Sequence, residues 1–206
     1  MRIPIYQVDA FTDQLFSGNP AAICPLDKWL DDELLQKIAA ENNLSETAFF
    51  VRQDNGYHLR WFTPEMEMDL CGHATLASAF VLFNCLGESA DEIDFFTASG
   101  TLKVKKDNDF LSMDFPSRAP EPTTGNEHLY QALGVNPLEA WKSRDLLILL
   151  KTEEDVAELQ PDFLQLAAIP DGLAVIVTAP GKDVDFVSRF FAPGAGIPED
   201  PVTGSA

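Results

Sequence analysis

Three short segments of the chain carry residues that could move a proton. Glu46 lies in LSETAFF, His73 lies in CGHATLASA, and Asp200 lies in EDPVTGSA near the end of the 206 residues. Carboxyl and imidazole groups are the side chains that most often act as general acids and bases. The residue types in these segments therefore indicate proton transfer on a small molecule.

Glu46 stands at the start of a run of strand-forming residues. Strand alternation places its side chain on the same face as Ala48 and Phe50. Burial on this apolar face would raise the pKa of the carboxyl towards neutrality, so the group could both accept and return a proton near pH 7. An exposed strand end is the alternative that the local sequence leaves open.

Two turns, Gly72-His73 and Gly204-Ser205, each precede an alanine that enters a predicted helix. A helix N-terminus has unpaired N–H groups and a partial positive charge, and glycine lets a ligand approach the backbone closely. We therefore expect both turns to bind a carboxylate. The same positive charge disfavours protonated imidazole, so we expect His73 to be neutral. Asp200 is expected to hold a substrate amine or hydroxyl, or to cap the turn that follows it.

Cys71 is a candidate for the thiol base of a two-base racemase. Its counterpart in the second turn is Thr203, whose hydroxyl has too high a pKa to act as an opposing base, so we predict a packing role for Cys71. No His, Cys, Asp and Glu cluster has metal-ligand spacing, and no dinucleotide fingerprint or P-loop is present. We expect no metal and no cofactor.

The composition restricts the partners and the compartment. A formal charge of -19 would repel nucleic acid and an anionic membrane surface. Three cysteines without CxxC pairing indicate a reducing compartment. The N-terminus lacks a signal-peptide pattern and no apolar run is long enough to cross a bilayer, so we predict a cytoplasmic protein.

Apolar periodicity locates two helices and a domain boundary. Residues 29–41 place Leu30, Leu34 and Ile38 at four-residue spacing, which predicts a helix with one apolar stripe. Residues 74–86 carry no charge and are apolar on every side, which is typical of a buried central helix. The Pro- and Thr-rich residues 116–127 predict a linker. We place a first domain at 1–117 and a second at 118–206.

One segment of the chain is repeated. Arg60-Trp-Phe-Thr-Pro followed by Gly72-His-Ala corresponds to Arg189-Phe-Phe-Ala-Pro followed by Gly204-Ser-Ala, offset by 129 residues at the arginines and 132 at the glycines. This spacing predicts two similar domains whose glycine turns face one cleft. The first copy continues through a helix and strands, whereas the second stops at Ala206, so we expect the second domain to be incomplete.

Four segments together resemble the PhzF-like phenazine-biosynthesis family, which has the diaminopimelate epimerase-like fold. They are DAFTDQLFSGNPAA, NNLSETAFF, RWFTPEMEMDLCGHATLASA and FFAPGAGIPEDPVTGSA. The resemblance implies an α+β protein of two similar domains, each a curved mixed sheet around a central helix. It also implies homodimers, because members of the family are commonly homodimeric.

The resemblance further implies roles for individual residues. Glu46 would move a proton along a small carboxylic acid without a cofactor, and His73, Asp200 and Ser205 would bind and orient the substrate. Two other functions remain open at this point. One is a two-base epimerase that uses Cys71, and the other is a small-acid binding protein without turnover.

Overall fold

The computed structural model describes residues 2–115, 117–124, 126–169, 174–204 and 206. The chain divides into two compact units, Met1–Pro116 and Ser117–Ala206. We describe each unit by itself as unit 1 and unit 2.

Unit 1 is a mixed sheet with two helices. Its sheet order is β1-β2-β3-β4-β6-β7-β8 with β5 paired to β4; β2 and β3 are parallel, as are β4 and β6, and the other pairs are antiparallel. The elements are β1 Tyr6–Ala10, β2 Asn19–Leu26, α1 Asp32–Asn42, β3 Glu46–Gln53, β4 Gly56–Phe62, β5 Glu67–Met68, α2 Gly72–Asn84, β6 Glu92–Thr97, β7 Gly100–Asp107 and β8 Phe110–Met113.

The central helix of unit 1 is α2, which begins and ends two residues earlier than the sequence indicates. It packs against β1, β2 and β3 near one end of the sheet order and against β8 at the other, so the sheet curves around it. The buried hydroxyls of Thr75 and Ser78 donate hydrogen bonds of 2.6 and 2.7 Å to carbonyls four residues earlier. Because these polar groups are paired inside the helix, α2 can be buried on most of its surface. Its exposed residues are Phe80, which is 44% exposed, and Asn84 at its end.

The sheet of unit 1 is covered on both faces, which explains why β3 is apolar on both sides. Ala48 and Phe50 pack with the residues of α2, whereas Phe49 packs on the opposite face with α1. The predicted stripe of α1 is wrong at one position, because Leu34 is exposed and Leu35 and Ala39 are the buried residues. The helix begins at Asp32 rather than Trp29. Packing against β3 and β4 determines which of its residues are buried.

The described residues of unit 2 form a six-stranded sheet in the order β14-β13-β12-β11-β10-β9, with helices. Its elements are β9 Glu121–Thr123, α3 Glu127–Leu133, β10 Glu139–Lys142, β11 Leu146–Leu149, α4 Glu153–Ala157, α5 Phe163–Ala167, β12 Val175–Pro180, β13 Phe186–Ala192 and β14 Ile197–Asp200. The core contains Leu133, Ile148, Val177 and Phe191. The segment that the sequence indicated as a linker contains β9, which pairs with β10.

The sequence repeat is also a repeat of topology. In unit 1, β1 and β2 are antiparallel, a helix connects β2 to the parallel strand β3, and β4 and β5 follow antiparallel. In unit 2, β10 to β14 repeat these pairings in the same order. The glycine turn follows β5 in one unit and β14 in the other, so the two turns hold equivalent positions within their own units.

No helix in the described part of the chain has both the length and the apolar character needed to cross a membrane.

Candidate active site

Glu46 is the first residue of β3, where its backbone is in register with Ala21 of the parallel strand β2. Its side chain is on the α2 side of the sheet, the face that carries Ala48 and Phe50. Only 7% of the residue is exposed. The exposed strand end that the sequence left open is therefore wrong, and the carboxyl lies on an apolar buried face.

His73 is the second residue of α2 and is 6% exposed. Cys71 is the N-cap, with extended backbone, and its side chain makes no capping hydrogen bond. The first turn of α2 contains no acidic side chain. Because the first N–H groups of a helix have no partner within the helix, this end of α2 carries a partial positive charge.

Glu46, His73 and Cys71 meet at the start of α2. His73 Nε2 lies 3.4 Å from Glu46 Oε2, and His73 Nδ1 lies 3.5 Å from Cys71 Sγ. The imidazole is therefore flanked by a carboxyl on one side and a thiol on the other. Spacing along the sequence concealed this cluster, because Glu46 lies 25 residues before Cys71. The parallel β2–β3 pairing and the packing of α2 bring the two together.

Burial lowers the pKa of His73 from its ordinary value to about 4, and a backbone hydrogen bond at Pro20 acts in the opposite direction. The imidazole is therefore neutral at neutral pH, as expected from its position at a helix start. The main cause is loss of solvation rather than the helix dipole. A neutral ring can accept a hydrogen bond at one nitrogen and donate at the other.

Gly72 is half-buried, and its backbone does not itself require glycine. A Cβ built at this position would lie 3.7 Å from the Phe115 ring, which is ordinary van der Waals contact. Gly18 differs, because its φ is +75° and a Cβ there would lie 2.2 Å from the Ala10 carbonyl oxygen. Steric fit within the chain thus explains Gly18 but not Gly72, and close approach of a ligand stays the prediction for Gly72.

The other predicted site residues lie in unit 2. Asp200 is the last residue of β14 and accepts a hydrogen bond from the Thr203 hydroxyl. Gly204 lies in an exposed turn, where the Ala206 N–H donates to the Thr203 carbonyl. The helix predicted to start after Gly204 stays a prediction, because Ala206 is the one residue that the structure describes beyond this turn. Ser205 lies outside the described residues.

Comparison with known proteins identifies the family. The family model described as phenazine biosynthesis-like protein, PhzC-PhzF, matches residues 8–206. The chain belongs to the PhzC-PhzF family. It is 53% identical to an uncharacterized isomerase of Pseudomonas aeruginosa, over 100% of this chain and 79% of the relative. It is 39% identical to the phenazine biosynthesis-like domain-containing protein 1 of Mus musculus, over 100% of this chain and 81% of that protein.

Solved structures agree with this assignment. A PhzF family protein from Enterococcus faecalis superimposes with a TM-score of 0.90 at 52% identity, covering 100% of this chain and 79% of that one. A hydroxyproline epimerase from Agrobacterium vitis superimposes with a TM-score of 0.57 at 9% identity, over 97% of this chain and 72% of that one. This second similarity concerns the fold alone. The predicted epimerase-like α+β fold is confirmed.

Proposed function

We propose that this PhzF family member is a cofactor-independent isomerase that moves a proton on a small carboxylic acid, with Glu46 as the single acid and base. The observation that carries the proposal is the position of the Glu46 carboxyl. It lies on a buried apolar face, 3.4 Å from His73 at the start of α2. Relatives in this family are named isomerases, which supports the reaction class.

The proposed step needs a base that can also act as an acid. Glu46 would take a proton from a carbon of the substrate and return it to another carbon, so no net proton is gained or lost. The buried surroundings keep water away from the carboxyl, which strengthens its interaction with a bound substrate. Neutral His73 would hold a polar group of the substrate next to Glu46 by a hydrogen bond.

The start of α2 suits the carboxylate of the substrate. The N–H groups in the first turn of this 13-residue helix have no partner within the helix and receive no cap from the Cys71 side chain, and this turn has no acidic side chain. Gly72 leaves space beside those N–H groups that a larger residue would narrow. We assign Asp200, Gly204 and Ser205 to substrate binding as well. For Asp200 and Ser205 the assignment rests on the family resemblance, and for Gly204 it rests on the correspondence with Gly72 in the repeat.

Deuterium exchange tests the proposal directly. Small unsaturated amino acids are incubated with the protein in deuterated water, and C–H exchange is followed by NMR. An isomerase of this kind incorporates deuterium, whereas a binding protein without turnover incorporates none. Glu46→Gln keeps the volume of the side chain and should abolish exchange, while Glu65→Gln, at an exposed position, should leave it unchanged. Wild-type exchange by Glu46→Gln would disprove the assignment.

A two-base epimerase is the competing function, because Cys71 is buried next to His73. Its structural counterpart in unit 2, Thr203, donates its hydroxyl to Asp200, which does not prepare it to act as a base. The two functions differ in their products. An epimerase inverts one carbon and loses that activity in Cys71→Ser, whereas the Glu46 mechanism moves the proton to a second carbon and still exchanges deuterium in Cys71→Ser.

A further inference from the structure

The cluster of Glu46, Cys71 and His73 offers three different ligand atoms in one buried place. A carboxylate oxygen, a thiol sulfur and an imidazole nitrogen lie within 4.8 Å of one another. None of the three residues is more than 7% exposed. Ligand sets of nitrogen, sulfur and one carboxylate are those that zinc and similar ions use in proteins.

The distance between the imidazole and the carboxyl matches the geometry of such an ion. A tetrahedral Zn²⁺ has Zn–N and Zn–O distances of about 2.0 to 2.2 Å, which separates two ligand atoms by about 3.4 Å. His73 Nε2 and Glu46 Oε2 are 3.4 Å apart. Cys71 Sγ lies 3.5 Å from the other ring nitrogen, Nδ1, so binding of one ion by all three groups requires a change in the side-chain conformation of Cys71 or His73.

The ring nitrogen of His73 that faces Glu46 is available for a ligand. Nε2 is buried and forms no hydrogen bond with any residue that the structure describes. A buried polar atom of this kind destabilises the folded protein unless something binds it. The lone pair of a neutral imidazole nitrogen binds divalent transition metals well.

The charges are also balanced for a divalent cation. The carboxylate of Glu46 and the thiolate of Cys71 would together neutralise the two positive charges of the ion. Mg²⁺ and Ca²⁺ prefer sets of oxygen ligands, so this site selects against them.

We propose that Glu46, Cys71 and His73 form a binding site for a thiophilic divalent transition-metal ion such as Zn²⁺, and that the bound ion inhibits the protein by occupying Glu46. The binding itself is independent of the proposed isomerase function. The inhibition rests on that function, because it requires Glu46 to be the proton carrier.

Cobalt spectroscopy of the whole chain tests the binding. The exposed Cys85 is first replaced in a Cys85→Ser background, so that a surface thiol cannot take the metal. Burial raises the pKa of the Cys24 thiol to about 12, so that thiol stays protonated. Titration with Co²⁺ should give a thiolate-to-cobalt charge-transfer band that saturates at one ion per chain. Zn²⁺ should displace the cobalt, whereas excess Mg²⁺ should not.

Variants assign the ligands. Cys71→Ser should remove the charge-transfer band, and His73→Asn and Glu46→Gln should each weaken binding by at least about tenfold. His128→Asn, at an exposed position, should leave the titration unchanged. Circular dichroism checks that each variant is folded. Absence of the band in the Cys85→Ser protein would overturn the site. A band that persists in folded Cys71→Ser would overturn it as well.

Activity separates this inference from the proposed function. If cobalt binds through Cys71 but no substrate exchanges deuterium, the metal site stands and the proposed function fails. If exchange depends on Glu46 but one equivalent of Zn²⁺ bound at Cys71 leaves the rate unchanged, the inhibition fails. The proposed function and the inhibition by the metal are both supported if one equivalent of Zn²⁺ stops the deuterium exchange that depends on Glu46.

Discussion

Arg60 binds the carboxylate of Glu67 through two parallel hydrogen bonds, from Nε to Oε1 and from Nη2 to Oε2, each of 2.7 Å. The pair joins β4 to the short strand β5, which ends three residues before Cys71. In unit 2, Arg189 makes the same two bonds to Glu199, of 2.7 and 2.9 Å, immediately before Asp200. Each unit therefore uses one arginine–glutamate pair to fix the strand that leads to its glycine turn.

The Arg60–Glu67 pair should contribute measurably to stability. Glu67→Gln keeps the size of the side chain but removes the charge, and we expect unfolding free energy to fall by about 1 kcal/mol at low ionic strength. The loss should be smaller in about 1 M salt, because Glu67 is 41% exposed and its charge is screened. Urea denaturation at the two salt concentrations measures both values.

An exposed ion pair is the control for this prediction. Lys37 and Glu33 are paired on α1 with 69% and 80% of their side chains exposed. Lys37→Gln should change unfolding free energy by no measurable amount. Equal effects of Lys37→Gln and Glu67→Gln at low salt would show that the two parallel bonds of Arg60 do not anchor β5.

Gly72→Ala should separate function from stability. A Cβ at Gly72 meets only ordinary contact, so we expect thermal stability to be unchanged or slightly higher, since alanine favours a helix over glycine. The same Cβ narrows the space next to the N–H groups in the first turn of α2, where we propose that the substrate carboxylate binds, so KM for the acid should rise.

Gly18→Ala is the matched control, because the same substitution at Gly18 should be strongly destabilising. Its φ of +75° and the 2.2 Å approach to the Ala10 carbonyl should cost at least about 2 kcal/mol of stability. Thermal denaturation and substrate-dependent exchange measure both variants. A Gly72→Ala protein that loses as much stability as Gly18→Ala, or that keeps the wild-type KM, contradicts the binding role of Gly72.

Much of unit 1 could be predicted from the sequence because the signals are local. The uncharged run after Gly72 identified α2, and alternation along β3 put Glu46 on the face of Ala48 and Phe50, as the structure confirms. The repeat placed Arg60 and Arg189 in equivalent strands. Each of these inferences depends on periodicity or on matching segments, which are visible in the chain itself.

What the sequence did not reveal depends on contacts between distant segments. The distances from His73 to Glu46 and to Cys71 are set by the pairing of β2 with β3 and by the packing of α2, and no spacing rule encodes them. The buried face of α1 was misplaced for the same reason, because Leu34 and Leu35 are equally apolar and only the position of the sheet distinguishes them.

Stability should depend on pH through Tyr57 and Glu88. The Tyr57 hydroxyl donates a 2.7 Å hydrogen bond to the Glu88 carboxylate, and this bond is the main cause that lowers the pKa of Glu88 below its ordinary value; the Ala90 and Ser89 N–H groups and Arg52 act in the same direction. A carboxyl whose pKa is lowered in the folded state stabilises the protein above its unfolded pKa. That stability is lost as pH falls through the folded pKa.

Tyr57→Phe tests this dependence. We expect a loss of about 1 kcal/mol near pH 7, and a smaller loss at a pH below the folded-state pKa of Glu88, where the carboxyl is protonated. Urea denaturation at the two pH values gives both differences. Arg52→Gln, which removes a mostly exposed partner of Glu88, should have less effect at either pH. A Tyr57→Phe effect of equal size at both pH values would assign the loss to packing rather than to the charged hydrogen bond.

Asp200 and Thr203 should affect substrate binding more than the chemical step. The Thr203 hydroxyl donates to the Asp200 carboxylate and fixes its orientation at the end of β14. Asp200→Asn keeps the volume but removes the charge that we propose holds a substrate amine or hydroxyl, so KM should rise about tenfold, the value of one charge-assisted hydrogen bond. Thr203→Val should raise KM less, and Thr203→Ser, which keeps the hydroxyl, should be close to wild type.

Deuterium exchange at several substrate concentrations separates kcat from KM. A fall in kcat with unchanged KM in Asp200→Asn would instead place Asp200 in an interaction made only in the transition state.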